Sequence, residues 1–234
     1  MLVAVCSDSH VLSANNASSF GAIGTWSVVR GLGTFSNVNA NNATVSGMDL
    51  DTNIFRWSVT LRGCTNYSDV VIVNNKPYIS VGGTQDICQD NTVLTGNDPT
   101  PNTGLWEKVS PGTHVITTPS QYNTTVTNIP IGTHVFKWTV SNAYCSTFIL
   151  LTVNNNSVIA DAGQDIPICA DSVQLGATLP PNHTGTWSSP VAGPVIVTPN
   201  SPTTWVKNLN ASSNMFMWTV SNGKCSNSDF VIID

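Results

Sequence analysis

Charge is scarce in this chain of 234 residues: Asp, Glu, Lys and Arg together supply only 9% of it, against roughly 25% in an ordinary soluble domain. The eight Lys plus Arg set against thirteen Asp plus Glu leave a net charge of −5. No basic patch is available to neutralise phosphates, which argues against nucleic acid and against anionic membrane surfaces as partners. Apolar runs all fall short of the roughly 18 residues that a membrane-spanning helix needs, so membrane insertion is not expected. Met1 to Cys6 is too short, and lacks the basic flank, to be a signal peptide. An export signal is therefore expected outside this sequence, as in a processed or partial product. No stretch keeps a helical apolar period. Gly-x-Ser-x-Gly, His-Glu-x-x-His and phosphate-cradling glycine loops are missing too. His10, His114, His134 and His183 stand at no catalytic or metal spacing from Cys, Ser or a carboxylate. The expectation is a protein that is not an enzyme.

What fills the space is Asn, Thr and Ser, with 17 Gly and 13 Pro, a composition suited to turns and solvent-facing strand positions. Three tryptophans reveal a repeat. Phe55-Arg56-Trp57-Ser58-Val59 recurs as Phe136-Lys137-Trp138-Thr139-Val140 and as Phe216-Met217-Trp218-Thr219-Val220, at steps of 81 and 80 residues. Each of these Trp is followed seven residues later by a Cys: Cys64, Cys145 and Cys225. Each is preceded by 31 or 32 residues by a second Trp, in Gly24-Thr25-Trp26, Gly104-Leu105-Trp106 and Gly185-Thr186-Trp187. A first Cys opens each unit, at Cys6, Cys88 and Cys169.

Within a unit the apolar positions alternate. Phe216, Trp218 and Val220 share one face and Met215, Met217 and Thr219 the other, so the Phe/Trp/Val face is the buried one. Turn residues and a returning apolar segment follow, which reads as a hairpin. About seven short strands per unit predict an all-β fold of three tandem immunoglobulin-like antiparallel β-sandwich repeats. Three blades are too few to close the rival propeller. The repeats are expected at 1–75, 76–156 and 157–234, joined by links of a few residues into a semi-rigid rod.

Six Cys fall two per unit, and six allow 15 pairings. The repeat symmetry selects one disulfide in each unit: Cys6–Cys64, Cys88–Cys145 and Cys169–Cys225. Free buried thiols and zinc ligands are the alternatives, but Cys-x-x-Cys pairs and nearby His are both absent. Disulfides persist in oxidising compartments, so an extracellular or cell-surface location is expected.

The third unit carries a further likeness. Ala160-Asp161-Ala162-Gly163-Gln164-Asp165, Ile168-Cys169, Val173-Gln174-Leu175-Gly176-Ala177, Gly185-Thr186-Trp187 and the run Phe216 to Cys225 followed by Ser228-Asp229 resemble the immunoglobulin-like (PKD-like) repeats of Bacteroidota surface adhesins, including gliding-motility adhesins. The second unit departs at Ser146-Thr147, and the first lacks the residues expected before its Cys. The resemblance implies export by a type IX system, tethering at the outer surface, service as a stalk or adhesive filament, and no catalytic residues.

Six tryptophans, Trp26, Trp57, Trp106, Trp138, Trp187 and Trp218, are expected in the cores, because a binding site need not recur in every unit. Trp205 replaces Thr44 and Thr125 of the other units and is the candidate contact residue, for surface glycans among others. The loop tips around His114 and His183 are further contact candidates, and His134 is read as a solvent-exposed strand residue. No cofactor is expected: Asp161 with Asp165, or Asp49 with Asp51, are candidate carboxylates for a Ca²⁺ site between units, but the sequence does not assemble the six to eight oxygen ligands such a site needs. Asp171-Ser172-Val173 resembles the O-glycosylation signal of Bacteroidota, which points to Ser172. Sequons stand at Asn16, Asn42, Asn66, Asn123, Asn155, Asn182 and Asn210. Units 2 and 3 have a strand-like segment before their Cys, Tyr78 to Ile87 and Val158 to Ile168, where unit 1 has only Met1 to Val5. The expected partners are therefore further repeats of the same polypeptide, or neighbouring subunits added by strand addition at the first repeat. A binding module and an accessory region of a secreted hydrolase are the competing functions.

Overall fold

The computed structural model describes residues 2–234, with the side chain of Phe20 excepted. Among the described residues, alternation of apolar and polar residues produces twenty strands and one 3-10 turn, Ala17–Phe20. Unit 1 holds β1 (Leu2–Val5), β2 (Ser9–Val11), β3 (Ile23–Arg30), β4 (Thr34–Phe35), β5 (Thr44–Ser46), β6 (Asp51–Leu61) and β7 (Cys64–Asn74). Unit 2 holds β8 (Gln85–Ile87), β9 (Thr92–Thr95), β10 (Thr103–Lys108), β11 (Val115–Ile116), β12 (Asn123–Thr127), β13 (Gly132–Ser141) and β14 (Ser146–Asn155). Unit 3 holds β15 (Ser172–Gly176), β16 (Thr184–Ser188), β17 (Val195–Ile196), β18 (Thr203–Lys207), β19 (Asn214–Ser221) and β20 (Ser226–Ile233).

Each unit is a two-sheet sandwich with the same connectivity. One sheet runs β3-β6-β7-β1, β10-β13-β14-β8 or β16-β19-β20, and the other β2-β5-β4, β9-β12-β11 or β15-β18-β17. This is the tandem immunoglobulin-like arrangement, with one departure from the all-antiparallel expectation. β1 runs parallel to β7 and β8 parallel to β14, and in unit 3 Ile166 bridges Ile233 in the same sense. An opening strand that enters at one end of the sandwich and lies beside the last strand must run parallel to it.

The cores form three separate clusters, around Phe55 and Trp57, around Phe136 and Trp138, and around Phe216 and Trp218. In β19 the inward positions Asn214, Phe216, Trp218 and Val220 are buried, and Met215 and Met217 are exposed. The two tryptophans of each unit lie directly opposite one another: Trp26 with Trp57, Trp106 with Trp138, Trp187 with Trp218. Their ring centroids are 5.0 to 5.1 Å apart, so each pair adds a tilted aromatic contact to its area burial. The glycine two residues ahead of the first Trp points at the second ring. A Cβ at Gly24, Gly104 or Gly185 would overlap Trp57, Trp138 or Trp218, which explains why Gly-x-Trp recurs.

The inward end of the long hairpin strand is polar in every unit, and here the exposed reading of His134 is corrected. Asn53, His134 and Asn214 occupy one register position and are all buried. His134 lies in the same phase as Phe136 and Trp138, so it must face in. Asn53 uses its amide there to close the preceding loop, donating to Asp49 O at 2.9 Å and accepting from Asp49 N at 3.2 Å. Asn214 does the same with Asn210. In unit 2 His134 bonds Pro130 O at 2.9 Å and packs edge-on against His114. His114 is fully buried and is not a loop-tip contact.

Candidate functional site

The joints between units carry the most specific chemistry, and they overturn the expected cysteine pairing. Cys6 of unit 1 is bonded to Cys145 of unit 2, and Cys88 of unit 2 to Cys225 of unit 3. The within-unit pairs Cys6–Cys64, Cys88–Cys145 and Cys169–Cys225 do not form, and Cys64 and Cys169 are exposed free thiols. The reason lies in the sandwich topology. The first Cys follows the opening strand, which lies beside the end of its own unit's last strand, at the exit to the next unit. The second Cys sits in the hairpin at the opposite end of the sandwich, which faces the preceding unit. The two cysteines of one unit are therefore at opposite ends, and those of adjacent units meet.

The same three groups surround both bonds. Asn75 N donates to Val5 O at 2.8 Å, and Asn156 N donates to Ile87 O at 2.8 Å. Across the joint, Asn142 Nδ2 donates to Asn75 O and Asn222 Nδ2 to Asn156 O, each at 2.8 Å. The carboxamide oxygen of Asn142 accepts from Cys145 N at 2.7 Å, and that of Asn222 accepts from Cys225 N at 2.8 Å. One asparagine thus folds the hairpin, aims its cysteine and grips the linker of the neighbour. At the second joint Lys224 Nζ also pairs with Asp86 at 3.2 Å. The Asp86 carboxyl is held below the usual carboxylate range by hydrogen bonds from Asn154, then Asn156 and Lys224. Lys76 pairs more loosely with Asp8 at 3.6 Å in the first joint.

The other expected residues scatter. Trp26, Trp57, Trp106, Trp138, Trp187 and Trp218 lie in the cores, at most 4% exposed, whereas Trp205 is 48% exposed on β18. Ser172 is half-buried at the start of β15, and His183 is half-exposed on a loop. Asn155 is buried and donates to Ile129 O at 2.8 Å, so that sequon is closed to an enzyme, while the remaining six are exposed. Asp161 accepts from Gly163 N and from the Thr178 hydroxyl, and one oxygen of Asp165 accepts from Ile232 N. Asp49 and Asp51 offer backbone carbonyls to Asn53. Among the described residues no three His, Cys, Asp or Glu gather as a metal group. The asparagine clamps escaped sequence reasoning, although Asn142 and Asn222 share the position three before the second Cys. That regularity was the available signal.

No family model matches the chain and no curated protein matches it. Among solved structures, a three-domain titin fragment (I67–I69) aligns over 100% of this chain and 94% of its own, at 11% identity and a TM-score of 0.36. Extracellular domains 3–5 of Drosophila OTK align over 99% and 93%, at 9% identity and 0.32. An endo-fucoidan hydrolase of glycoside hydrolase family 107 aligns over 100% of this chain and 42% of its own, at 14% identity and 0.29. TM-scores this low carry no functional argument; the sandwich architecture rests on the strand order described above.

Proposed function

We propose that the chain is a structural repeat segment of an extracellular surface adhesin or filament, acting as stalk or spacer. The observation that carries this reading is the placement of both disulfides across joints. A disulfide inside a domain secures that domain, whereas one between domains fixes how they are joined. Two such bonds, each backed by an asparagine clamp, suit a chain whose task is to hold its units in line. Disulfides of this kind persist outside the cytosol, which supports an extracellular location. The resemblance of the third unit to Bacteroidota adhesin repeats supports type IX export and a place in gliding or attachment. The three repeats are taken to meet at 75/76 and 156/157. Immunogold electron microscopy of native cells with antibody to this chain tests the reading. Label on filaments or stalks at the cell surface is expected; label confined to the cell interior refutes it.

Trp205 supports a second reading. A half-exposed indole on a strand face suits stacking on a sugar ring. A glycan array with the wild-type chain and with Trp205→Ala separates the two, since a spacer binds no glycan and a lectin-like module loses its ligand on substitution.

A further inference from the structure

Among the described residues, nothing in unit 1 takes the place of one element seen in units 2 and 3. In units 2 and 3 an extended segment lies between the end of the second strand and the returning hairpin strand. In unit 2 it is Tyr78 to Val81, where Val81 bridges Gly96 and Ser80 exchanges hydrogen bonds with Asn97. In unit 3 it is Val158 to Ala162, where Asp161 bridges Thr178, and Asn227 Nδ2 donates to Val158 O at 3.0 Å. Ile79 and Val81 pack on one core, and Val158 and Ala162 are buried in the other. Counted from the first Cys, the counterpart of Asn97 and Thr178 is Asn15. Counted from the second, the counterpart of Asn227 is Asn66. Asn15 and Asn66 line an open groove of about 450 Å³, together with Trp57, Val59, Cys64 and Tyr67.

Two further observations point to what the groove receives. The Trp57 ring is 4% exposed, yet its indole N–H finds no acceptor among the described residues. The equivalent Trp138 donates to Asn97 Oδ1 at 3.3 Å and Trp218 to Thr178 O at 3.0 Å. In those units the extended segment is hydrogen-bonded to the stretch that supplies the acceptor and holds it over the ring. Cys64, at the rim, is unpaired where Cys145 and Cys225 bond a cysteine of the preceding unit. Cys169, also unpaired, follows Ile168 as Cys6 follows Val5 and Cys88 follows Ile87. It is the opposite half of the same bond.

We propose that the groove of unit 1 is the acceptor site for the extended segment leading out of another repeat of this kind, and that Cys64 bonds that repeat's cysteine at the position of Cys6, Cys88 and Cys169. The occupant has short or branched apolar residues facing Trp57 and Val59, and a backbone carbonyl for Asn66. Its arrival draws Asn15 over the indole. Unit 1 departs from its neighbours in having Leu61 in place of the clamp asparagine, so strand and disulfide carry this junction without the amide grip. Closing the bond removes two protons and two electrons, taken by a small disulfide such as oxidised glutathione. The Cys64 thiolate displaces one glutathione from it, the partner's thiolate displaces the other, and two glutathione thiols leave. The inference deepens the spacer reading, but its tests need no cell surface, so the two can fail separately.

The first test adds a synthetic peptide with the sequence of residues 155–163 to the intact chain. Saturable one-to-one binding is expected, with a shift of the Trp57 indole N–H resonance, assigned by its loss in Trp57→Phe, and slowed exchange of that proton. No shift at roughly millimolar peptide, or an equal shift with a scrambled peptide, overturns the groove assignment. The second test incubates the intact chain with oxidised glutathione, so that a second copy supplies Cys169. A non-reducing gel is expected to show a ladder in steps of 24.8 kDa, with Cys64–Cys169 as the dominant cross-link. Cys64→Ser and Cys169→Ser should each leave monomers, and mixing the two variants should give a dimer and nothing larger. A monomer capped with glutathione at both cysteines, or like-with-like links in the proportions of chance collision, overturns the complementary pairing.

Discussion

Substituting each of the six cysteines by serine, one at a time, should sort them into two silent positions and two matched pairs. Cys6 and Cys145 are 139 residues apart, and Cys88 and Cys225 are 137 apart. When one unit unfolds between folded neighbours, such a bond closes a loop of roughly 70 residues of it, worth about 4 kcal/mol in the chain-entropy model. For a unit of this size that is roughly 15 °C or more in melting temperature. Cys6→Ser and Cys145→Ser should therefore cost the same, and the double substitution no more than either. Cys88→Ser and Cys225→Ser should behave likewise, and unit 2, tied by both bonds, should lose from either pair. Cys64→Ser and Cys169→Ser should change nothing, because both thiols are exposed and unpaired. Calorimetry without reductant reads the melting temperatures. A non-reducing tryptic map reads the bonds, since cleavage after Lys and Arg leaves Cys64 with Cys88 on peptide 63–108, and Cys145 with Cys169 on 138–207. The observed pairing yields two separate species, 1–30 with 138–207 and 63–108 with 225–234. Pairing within units would tie all four peptides into one. A single four-peptide species, or a Cys64→Ser as damaging as Cys6→Ser, would refute the stitched joints.

Gly104→Ala should destabilise unit 2 by about 1–3 kcal/mol, since its Cβ would meet the Trp138 ring; Gly82→Ala, with open space around it, is the control, and equal urea midpoints would show that the Gly104 contact does not matter. Unit 2 should also weaken as pH falls from 8 to 5. Burial, and after it the neighbouring His134 and Lys108, hold His114 below the ordinary histidine value. The unfolded chain therefore takes up the proton first, and stability that is full above an unfolded pKa of about 6.5 is lost as pH drops toward the folded one. Denaturation curves at the two pH values check this, and His114→Phe should flatten the difference. Asp69→Asn should leave the melting temperature nearly unchanged although Arg56 and Asp69 share a double hydrogen bond at 2.7 and 2.9 Å, because the pair is a third exposed and screened by solvent. A double-mutant cycle with a large coupling between the two would overturn this.

The fold was legible because the core is written in period two. Phe, Trp and Val at alternate positions, repeated at a constant step, identified the inward face of each hairpin strand. His134 is buried and not exposed for a physical reason: the phase of its strand outweighs its polarity. Position 134 shares a face with Phe136 and Trp138, and a polar residue survives there because the loop beneath has backbone groups to satisfy. β1 pairs with β7 as β8 pairs with β14, so the described part of the unit 1 opening strand matches the later half of its counterpart in unit 2, a correspondence that the register shows and the sequence does not.

Cysteine pairing could not be read from the repeat, because translation by one unit leaves the register unchanged. A bond from the first Cys of a unit to its own second Cys and a bond to the second Cys of the next unit obey the same symmetry. They differ in what is left over: the first leaves nothing, the second leaves one cysteine at each end. Repeat symmetry, the ground for the first, therefore does not choose between them, and the end of the sandwich that each strand terminus occupies decides for the second. The consequence is mechanical. Between Cys6 and Cys225 the covalent path can cross to Cys145, return along the chain to Cys88 and cross again, using 57 residues instead of 219. At about 3.5 Å per extended residue that is roughly 200 Å rather than 770 Å. A pull on the oxidised chain between these points loads only residues 88–145 of unit 2 and bypasses units 1 and 3 through the two bonds, while each core is built on its Trp pair with no disulfide inside the unit. Redox state should then set how far the array extends under force and leave each unit's architecture intact.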